Sequence, residues 1–346
     1  LHQHSISPAI PSWSLLLRTL ASPINPADIN QIQGVYPSQP PFTNFLGTSE
    51  SSAVGGNEGC FEIVRTGSAI KKEMGLNPGD WVVTKAPNFG TWRTHALATP
   101  NDVLRVEKKG LTPIQVATAS INPITAYCML REFEPLKEGD WWIQNGANSA
   151  VGRAAIQLGK LWGFKSINII RESSDSTTTS ALREELLALG ATYVLTDTEL
   201  FKVQQCRELI MNWTNGGREK IKLGLNCVGG KAASALAKCL SQGGHLVTYG
   251  NMSRQPLLLP AGQLIFENLR FSGFWVSRWA KENPEEKQIV LSEILNLICS
   301  GKLKCAPLQI HEWDRHTTEF NLKCAIKGTL EGFRTAKSIF LFKDTP

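Results

Sequence analysis

The chain has 346 residues, too many for one ordinary hydrophobic core, so two domains are expected. Its 42% hydrophobic and 19% charged residues are those of a globular protein, and no apolar run reaches the roughly 18 residues of a membrane span. The net charge of +6 is spread out, with Lys71-Lys72 and Lys108-Lys109 as isolated basic pairs, so no nucleic-acid stripe is read. The eight cysteines are scattered without a C-x-x-C pair, which points to reduced thiols rather than a zinc knuckle or a disulfide scaffold. The chain starts at Leu1 instead of Met, and a targeting peptide is expected to lie outside it.

The first 115 or so residues read as short β-like runs divided by Gly, Pro and Asn: "SLLLRTLASP", "GCFEIVRTG", "GDWVVTKAP", "GTWRTHALA" and "NDVLRVEK". Between the first two lies "NQIQGVYPSQPP", which reads as too broken by proline for a helix. From about residue 116 the texture changes. "TPIQVATASINPITAYCMLREF" has helical spacing interrupted at Asn122-Pro123. Strand-like and helix-like segments then alternate from "DWWIQNG" through "SAVGRAAIQLGKLWGF", "SINIIRE", "TTSALREELLALGAT", "LGLNCVGG" and "KAASALAKCLSQGG" to "HLVTYGN" and "NLRFSGFWV". Repeats of this length predict a parallel sheet covered by helices on both faces. "PEEKQIVLSEILNLICSGKL" predicts an amphipathic helix stopped at Gly301, and the tail ends in the strand-like "KSIFLF".

The strongest local signal is "DWWIQNGANSAVGRAAIQLG". An apolar strand runs into a loop of small residues, and a helix follows from about Val151. Backbone N–H groups at such a helix start can hold a pyrophosphate, and small side chains let it approach. The glycine pattern is imperfect: Gly146 and Gly152 are present, while Ser149 and Ala150 fill the central positions. The motif is therefore compatible with a dinucleotide loop or with a purely structural turn. "SINIIRESS" ends in Arg171, about 20 residues further on, where the dinucleotide fold reads the ribose. Arg171 with Ser173 and Ser174 offers a cation and hydroxyls to a 2′-phosphate, favouring NADPH. Glu172 argues the other way unless it points elsewhere, and a solvated strand-end charge is the plain alternative for Arg171. "HLVTYGNMS" puts Tyr249, Gly250 and Asn251 at another strand end, as ligand contacts or as a turn.

Zinc alcohol dehydrogenases share this order of segments, but their metal needs Cys and His ligands. Here Asn57 stands in "GGNEGC" where those enzymes put the histidine of a Gly-His-Glu motif, and no cysteine lies between Cys60 and Cys128. The six histidines, His2, His4, His95, His245, His311 and His316, pair with no cysteine at ligand spacing. No metal is expected, and His95 and His245 read as core or loop histidines. A metal-free hydride-transfer enzyme must protonate its product by another route, and a phenol can do so. Of the four tyrosines, Tyr193 and Tyr127 read as structural and Tyr249 lies on the nucleotide side. Tyr36, in the β-rich part, remains open between a proton donor and a residue packed on its loop.

The stretches "NPADINQIQGVYPSQPP", "GGNEGCFEIV", "FGTWRTHAL", "NPITAYCML", "QNGANSAVG", "LGLNCVGGKAAS", "LVTYGNMS" and "FSGFWVS" resemble the mitochondrial trans-2-enoyl-thioester reductases. These belong to the zinc-free part of the medium-chain dehydrogenase/reductase superfamily, and the likeness is nearest to fungal members. It runs from about Ser14 to Phe342. It implies an α/β fold: a Rossmann-type NADPH domain at residues 118–277 and a mostly β, GroES-like catalytic domain at 1–117 and 278–346. It implies NADPH-dependent reduction of the trans-2 double bond of enoyl-acyl-carrier-protein or enoyl-CoA, in fatty acid synthesis in the mitochondrial matrix. Tyr36 matches the catalytic tyrosine of the family's Tyr-Pro motif. Asn122 matches the nicotinamide-side asparagine; Asn148, Ser149, Ala150 and Val151 match the pyrophosphate loop. Arg171, Glu172 and Ser173 match the 2′-phosphate site. Tyr249, Gly250, Asn251 and Met252 match the strand-end segment, Phe274, Trp275, Val276 and Ser277 match the "GFWVS" segment, and Lys337 matches a cofactor-contacting lysine.

Two departures stand out. "RES" replaces the frequent Arg-Asp-Arg, which removes one of two cations and implies weaker selection for NADPH. "YGN" replaces Tyr-Gly-Gly and adds a side chain at Asn251. The resemblance further implies a homodimer joined through the nucleotide domains, with "NLRFSGFWV" as an edge strand, and neither nucleic-acid binding nor membrane insertion. The alternative within the superfamily is an NADPH-dependent quinone or activated-alkene reductase.

Overall fold

Residues 1–2, 9–329 and 336–343 are described by the computed structural model; His4 and the 330–335 part of the tail lie outside them. The chain divides into two units. One comprises Leu1–Ile121, Ala280–Ser300 and Pro307–Pro346, and the other Asn122–Trp279 and Gly301–Ala306. The division differs from 1–117/118–277/278–346 mainly in the return segment, where six residues after Ser300 stay with the nucleotide-type unit.

The elements in chain order begin with β1 (Leu15–Pro23), α1 (Pro26–Ile32), β2 (Cys60–Thr66), β3 (Trp81–Thr84), β4 (His95–Ala98), β5 (Val103–Val106) and α2 (Pro113–Ala117). The second unit follows with α3 (Asn122–Glu132), β6 (Trp141–Asn145), α4 (Ala150–Leu161), β7 (Lys165–Ile170), α5 (Ser176–Leu189), β8 (Tyr193–Thr196), α6 (Asp197–Phe201) and α7 (Val203–Trp213). It continues through β9 (Ile221–Asn226), α8 (Gly230–Ala237), β10 (His245–Thr248), α9 (Ala261–Ile265), β11 (Arg270–Gly273) and α10 (Val276–Glu282). The return is α11 (Pro284–Cys299), β12 (Leu308–Trp313), α12 (Glu319–Gly328) and β13 (Lys337–Phe342).

In the first unit β1 is the hub, pairing antiparallel with β2, β4 and β13. It is buried along most of its length, with Leu15, Leu16, Leu17 and Ala21 inside and Arg18 only partly covered and paired with Glu62. Leu15 and Leu17 pack with Phe61, Ile63, Val82 and Ala96. A second cluster gathers Ile24, Ile29, Trp313, Phe340 and Phe342, and so fastens α1 to the returning strands. α1 departs from the sequence expectation, because Asn30 to Ile32 are helical. Pro26 sits in its first turn, where proline costs no hydrogen bond, and Asn25 with Asp28 forms a capping box.

The second unit holds a six-stranded sheet in the order β11-β10-β9-β6-β7-β8, parallel throughout. The order reverses between β6 and β9, the switch point beyond whose carboxyl ends such sheets bind ligands. β11 and β8 are the two edge strands. Tyr193 stacks between Trp141 and Trp213, at ring distances of 5.9 and 3.9 Å. Trp141 and Tyr193 open β6 and β8, so this stack lies at the amino end of the sheet, away from the ligand side. Tyr127 of α3 packs edge-on against Trp162 at 5.3 Å. Both tyrosines are structural.

Candidate active site

In the first unit the segment after α1 turns at Gly34 (φ +70°) and carries the half-buried Tyr36, whose carbonyl accepts from Gln39 Nε2 at 2.8 Å. Two residues on, Ser38 is tied to the interior twice. Gln31 Nε2 donates to the Ser38 carbonyl at 2.8 Å, and Asn88 Nδ2 donates to the Ser38 hydroxyl at 2.6 Å. Gln31 Nε2 also donates to Asn88 Oδ1 at 2.7 Å. Both lead to Asn57, which donates to Gln31 Oε1 at 2.6 Å and accepts from the Asn88 backbone N–H at 2.7 Å. Asn57 also donates to Asp28 Oδ1 at 2.6 Å. The residue that stands in the zinc-ligand position is thus the centre of a buried amide network.

Beneath it lie two buried carboxylates. Burial pushes the Asp28 pKa up to about 6, against hydrogen bonds from the Asn25 backbone and Asn57. Burial likewise raises Glu58, which accepts from Asn25 Nδ2, Ser120 Oγ and the Ile121 backbone at 3.1, 3.2 and 2.8 Å. Lys337 lies close enough to lower both, and its ammonium donates to Asn25 Oδ1. Lys287 of α11, buried and lowered to about 8 by that burial, donates to the carbonyls of Thr84 and Lys85 at 3.2 and 2.7 Å. The Lys337 side chain therefore has a clear structural task inside its own unit.

In the second unit the loop from Gly146 to Ser149 joins β6 to α4. Ser149 caps α4 by accepting from the Gly152 N–H at 3.0 Å. Gly146 is left-handed (φ +61°), and a Cβ there would meet Cys227 Sγ at 2.3 Å. A Cβ at Gly152 would lie 2.7 Å from the Ala147 carbonyl oxygen. Both glycines are thus required by close approach. Asn148 is held from below: its Oδ1 accepts from Arg153 Nε and Nη2 at 2.9 and 2.7 Å, and Arg153 forms a two-pronged pair with Glu185 at 2.7 and 2.9 Å.

The strand ends beside this loop are polar and buried. Asn145 Nδ2 donates to Asn226 Oδ1 at 2.7 Å, and Asn145 Oδ1 accepts from the Cys227 N–H at 2.8 Å. The Tyr249 hydroxyl is buried beside the Cys227 thiol and the Ser149 hydroxyl, with no well-aligned hydrogen bond to a described residue. Burial raises its pKa. A loop of small residues between two glycines, a capped helix start and a buried phenol together fit a dinucleotide pyrophosphate at the switch point.

The other sequence candidates of this unit are spread around the same sheet. Arg171, Glu172 and Ser173 follow β7 directly, with Arg171 and Glu172 exposed. The Glu172 N–H donates to Asp197 Oδ1 at 3.0 Å and the Ser173 N–H to Thr179 Oγ1 at 3.0 Å, which fixes the turn. Asp175 caps α5 through Thr177 and Thr178, and these hydrogen bonds hold its carboxylate down at about 2. Asn251 lies against Gly229, so its added carboxamide has a defined seat, while Met252 is exposed. Phe274 is buried edge-on against Phe133 at 5.9 Å, and its N–H donates to the Thr248 carbonyl at 2.9 Å. Trp275 and Ser277 are half-buried at the start of α10, with Val276 between them. Asn122 opens α3.

The histidines divide. His245 is buried and satisfied, with Nδ1 3.1 Å from Glu134 Oε1 and Nε2 2.8 Å from Ser272 Oγ. His95 Nδ1 is buried without a partner, and burial lowers its pKa. Among the described residues no three His, Cys, Asp or Glu side chains gather as a metal would require. Among the described residues no two cysteines form a disulfide.

The amide network around Asn57 and the Arg153–Asn148–Glu185 brace escaped the sequence reading. One signal was available: Asp28 and Gln31 are three apart and polar, on a helix face that packs inward through Ile29.

The chain was compared with known proteins. A family model described as zinc-binding dehydrogenase matches residues 150–295. The mitochondrial enoyl-[acyl-carrier-protein] reductase of Schizosaccharomyces pombe is 46% identical over 289 residues, covering 83% of this chain and 76% of that one. Among solved structures, the Etr1p/NADP/crotonyl-CoA complex has a TM-score of 0.90 at 38% identity, covering 97% of this chain and 93% of that one. The Candida tropicalis mitochondrial 2-enoyl thioester reductase Etr1p/Etr2p heterodimer has the same TM-score, 0.90, at 38% identity and the same coverage, 97% and 93%.

Proposed function

The chain belongs to the mitochondrial enoyl-[acyl-carrier-protein] reductase family, and from that premise we propose that it reduces the trans-2 double bond of enoyl thioesters with NADPH, in mitochondrial fatty acid synthesis. The observation that carries the reading is the anchorage of the Tyr36 loop: a phenol is held on a segment that Gln31 and Asn88 tie to the buried interior. NADPH held by the 146–149 loop and Arg171 would supply a hydride for the β-carbon of the thioester. The residues of the chain do the rest. Tyr36, directly or through a water, gives its proton to the α-carbon as the enolate collapses, and regains one from solvent. Large apolar side chains on the same segment, Ile32, Val35, Phe42 and Phe45, are exposed and suit an acyl chain.

On the nucleotide side, the 146–149 loop and the start of α4 would hold the pyrophosphate, with the Tyr249 hydroxyl nearby. Arg171 and Ser173 would take the 2′-phosphate, and Asn122, Trp275 and the backbone at Phe274 would border the nicotinamide. β11, preceded by the exposed Leu264, Ile265 and Phe266, supports a homodimer joined at that sheet edge; a solution mass of one chain would overturn that reading.

The test is NADPH oxidation with crotonyl-CoA, an enoyl-carrier protein and a simple quinone in parallel, with NADH as the alternative donor. Thioester-dependent oxidation with NADPH preferred is expected, and Arg171→Ala should narrow that preference. Turnover of the quinone alone favours the activated-alkene reductase reading instead.

A further inference from the structure

Asn57 is 6% exposed and commits both its amide N–H groups and its oxygen to hydrogen bonds. A primary amide has two N–H donors and an oxygen with two acceptor positions. Here Nδ2 donates to Asp28 Oδ1 and Gln31 Oε1, both at 2.6 Å, and Oδ1 accepts from the Asn88 N–H at 2.7 Å and lies 3.5 Å from Gln31 Nε2. The Asp28 carboxylate accepts from the Asn25 N–H at 2.7 Å through its other oxygen, so it presents an acceptor to Asn57. That fixes which end of the Asn57 amide faces which partner. With Nδ2 committed to Asp28 and Gln31, the Gln31 amide must in turn present its own Nε2 outward. Nε2 then grips the Ser38 carbonyl and Asn88 Oδ1, and Asn88 Nδ2 grips the Ser38 hydroxyl. The polarity set at Asp28 thus propagates through three amides and ends on both sides of Ser38, two residues beyond Tyr36.

We propose that Asn57 is a positioning residue for the reaction: it orients Gln31 and Asn88, which clamp Ser38 and thereby fix the loop that presents the Tyr36 phenol. This rests on the proton-donor reading of Tyr36 given above. A position suited to a metal ligand in a metal-dependent relative serves here to aim the metal-free acid. The clamp makes a prediction that a merely stabilising buried amide does not: disturbing Asn57 matters to turnover only while Tyr36 has a proton to deliver.

The experiment is a double-mutant cycle on the full chain, with crotonyl-CoA turnover, NADPH affinity and thermal melting measured for Asn57→Leu, Tyr36→Phe and the pair. Asn57→Leu keeps volume and removes every hydrogen bond of the amide. It should lower kcat at least ten-fold with the NADPH Kd within two-fold, and change kcat less than two-fold when added to Tyr36→Phe. Should Asn57→Leu fail to fold, Asn88→Gly replaces it. Asn88 is left-handed at φ +66°, which glycine accepts, and the change keeps the N–H to Asn57 while deleting the side chain that grips Ser38. A kcat loss of at least five-fold is expected, again absent behind Tyr36→Phe. An unchanged kcat, or an equal loss in both backgrounds, overturns the positioning role. Wild-type inactivity on every enoyl thioester, or a Tyr36→Phe rate equal to wild type, would instead strike the functional reading beneath it.

Discussion

In the proposed reaction the two units build their halves of the chemistry from different materials. In the first, the Tyr36 loop is held by side chains: three amides, a serine and a buried carboxylate. In the second, the loop depends on absent bulk at two positions, Gly146 and Gly152, where a Cβ would meet Cys227 Sγ at 2.3 Å and the Ala147 backbone at 2.7 Å. A proton donor must be aimed to a fraction of an ångström, and directional hydrogen bonds do that. A pyrophosphate must be reached by many backbone N–H groups at once, and absence of bulk does that. The first unit should therefore be sensitive to changes of polarity at constant volume, and the second to changes of volume at constant polarity.

The largest effect should come from the polar half. Tyr36→Phe deletes one oxygen, and turnover of crotonyl-CoA should fall by about 10²–10⁴-fold, the usual worth of a general acid, with NADPH affinity unchanged. Equal losses in turnover and cofactor binding would blur the division between units. Next comes the volume half. Gly152→Ala adds one methyl against the Ala147 backbone and should cost about 1–3 kcal/mol of stability, with a raised KM for NADPH and little change in kcat at saturation. An unaffected KM would mean that the loop is not the cofactor's seat.

The smallest effect concerns Asp28 and is read as a pH dependence. Its folded pKa of about 6 lies above the ordinary carboxylate value of 3.8, so the folded state holds the proton more tightly. The stability this contributes is full below about pH 4 and is lost as the pH rises through 6. The melting temperature of the wild type relative to Asp28→Asn should therefore fall between pH 4 and 7. A flat difference would mean that Asp28 is solvated and does not set the polarity of Asn57.

The same contrast explains what the sequence made legible. The alternation of strands and helices from Trp141 onward and the stop of α11 before Gly301 follow from local pattern, because each is decided within a few residues. So does the loop of the second unit, whose glycines and small residues are contiguous. The division of the return segment at Ser300 and the helical state of Asn30 to Ile32 were less accessible, since Pro37, Pro40 and Pro41 break the same stretch while the capping box that starts α1 lies upstream of it at Asn25 and Asp28. The Asn57 network was out of reach for a different reason. Its partners lie 26 residues away at Gln31, 29 at Asp28 and 31 at Asn88, and only the pairing of β1 with its neighbours brings them together. Asn57 was visible as a missing histidine, but what it had become was written in tertiary contacts.

The two halves meet in one product, and isotopes separate them. Crotonyl-CoA reduced with NADPH carrying deuterium at the transferable position, in ordinary water, should give butyryl-CoA with deuterium at the β-carbon and a solvent hydrogen at the α-carbon, and Tyr36→Phe should slow product formation without moving the label. Deuterium at the α-carbon, an unlabelled β-carbon, or Tyr36→Phe turning over at the wild-type rate would contradict the assignment of proton delivery to the first unit and cofactor to the second.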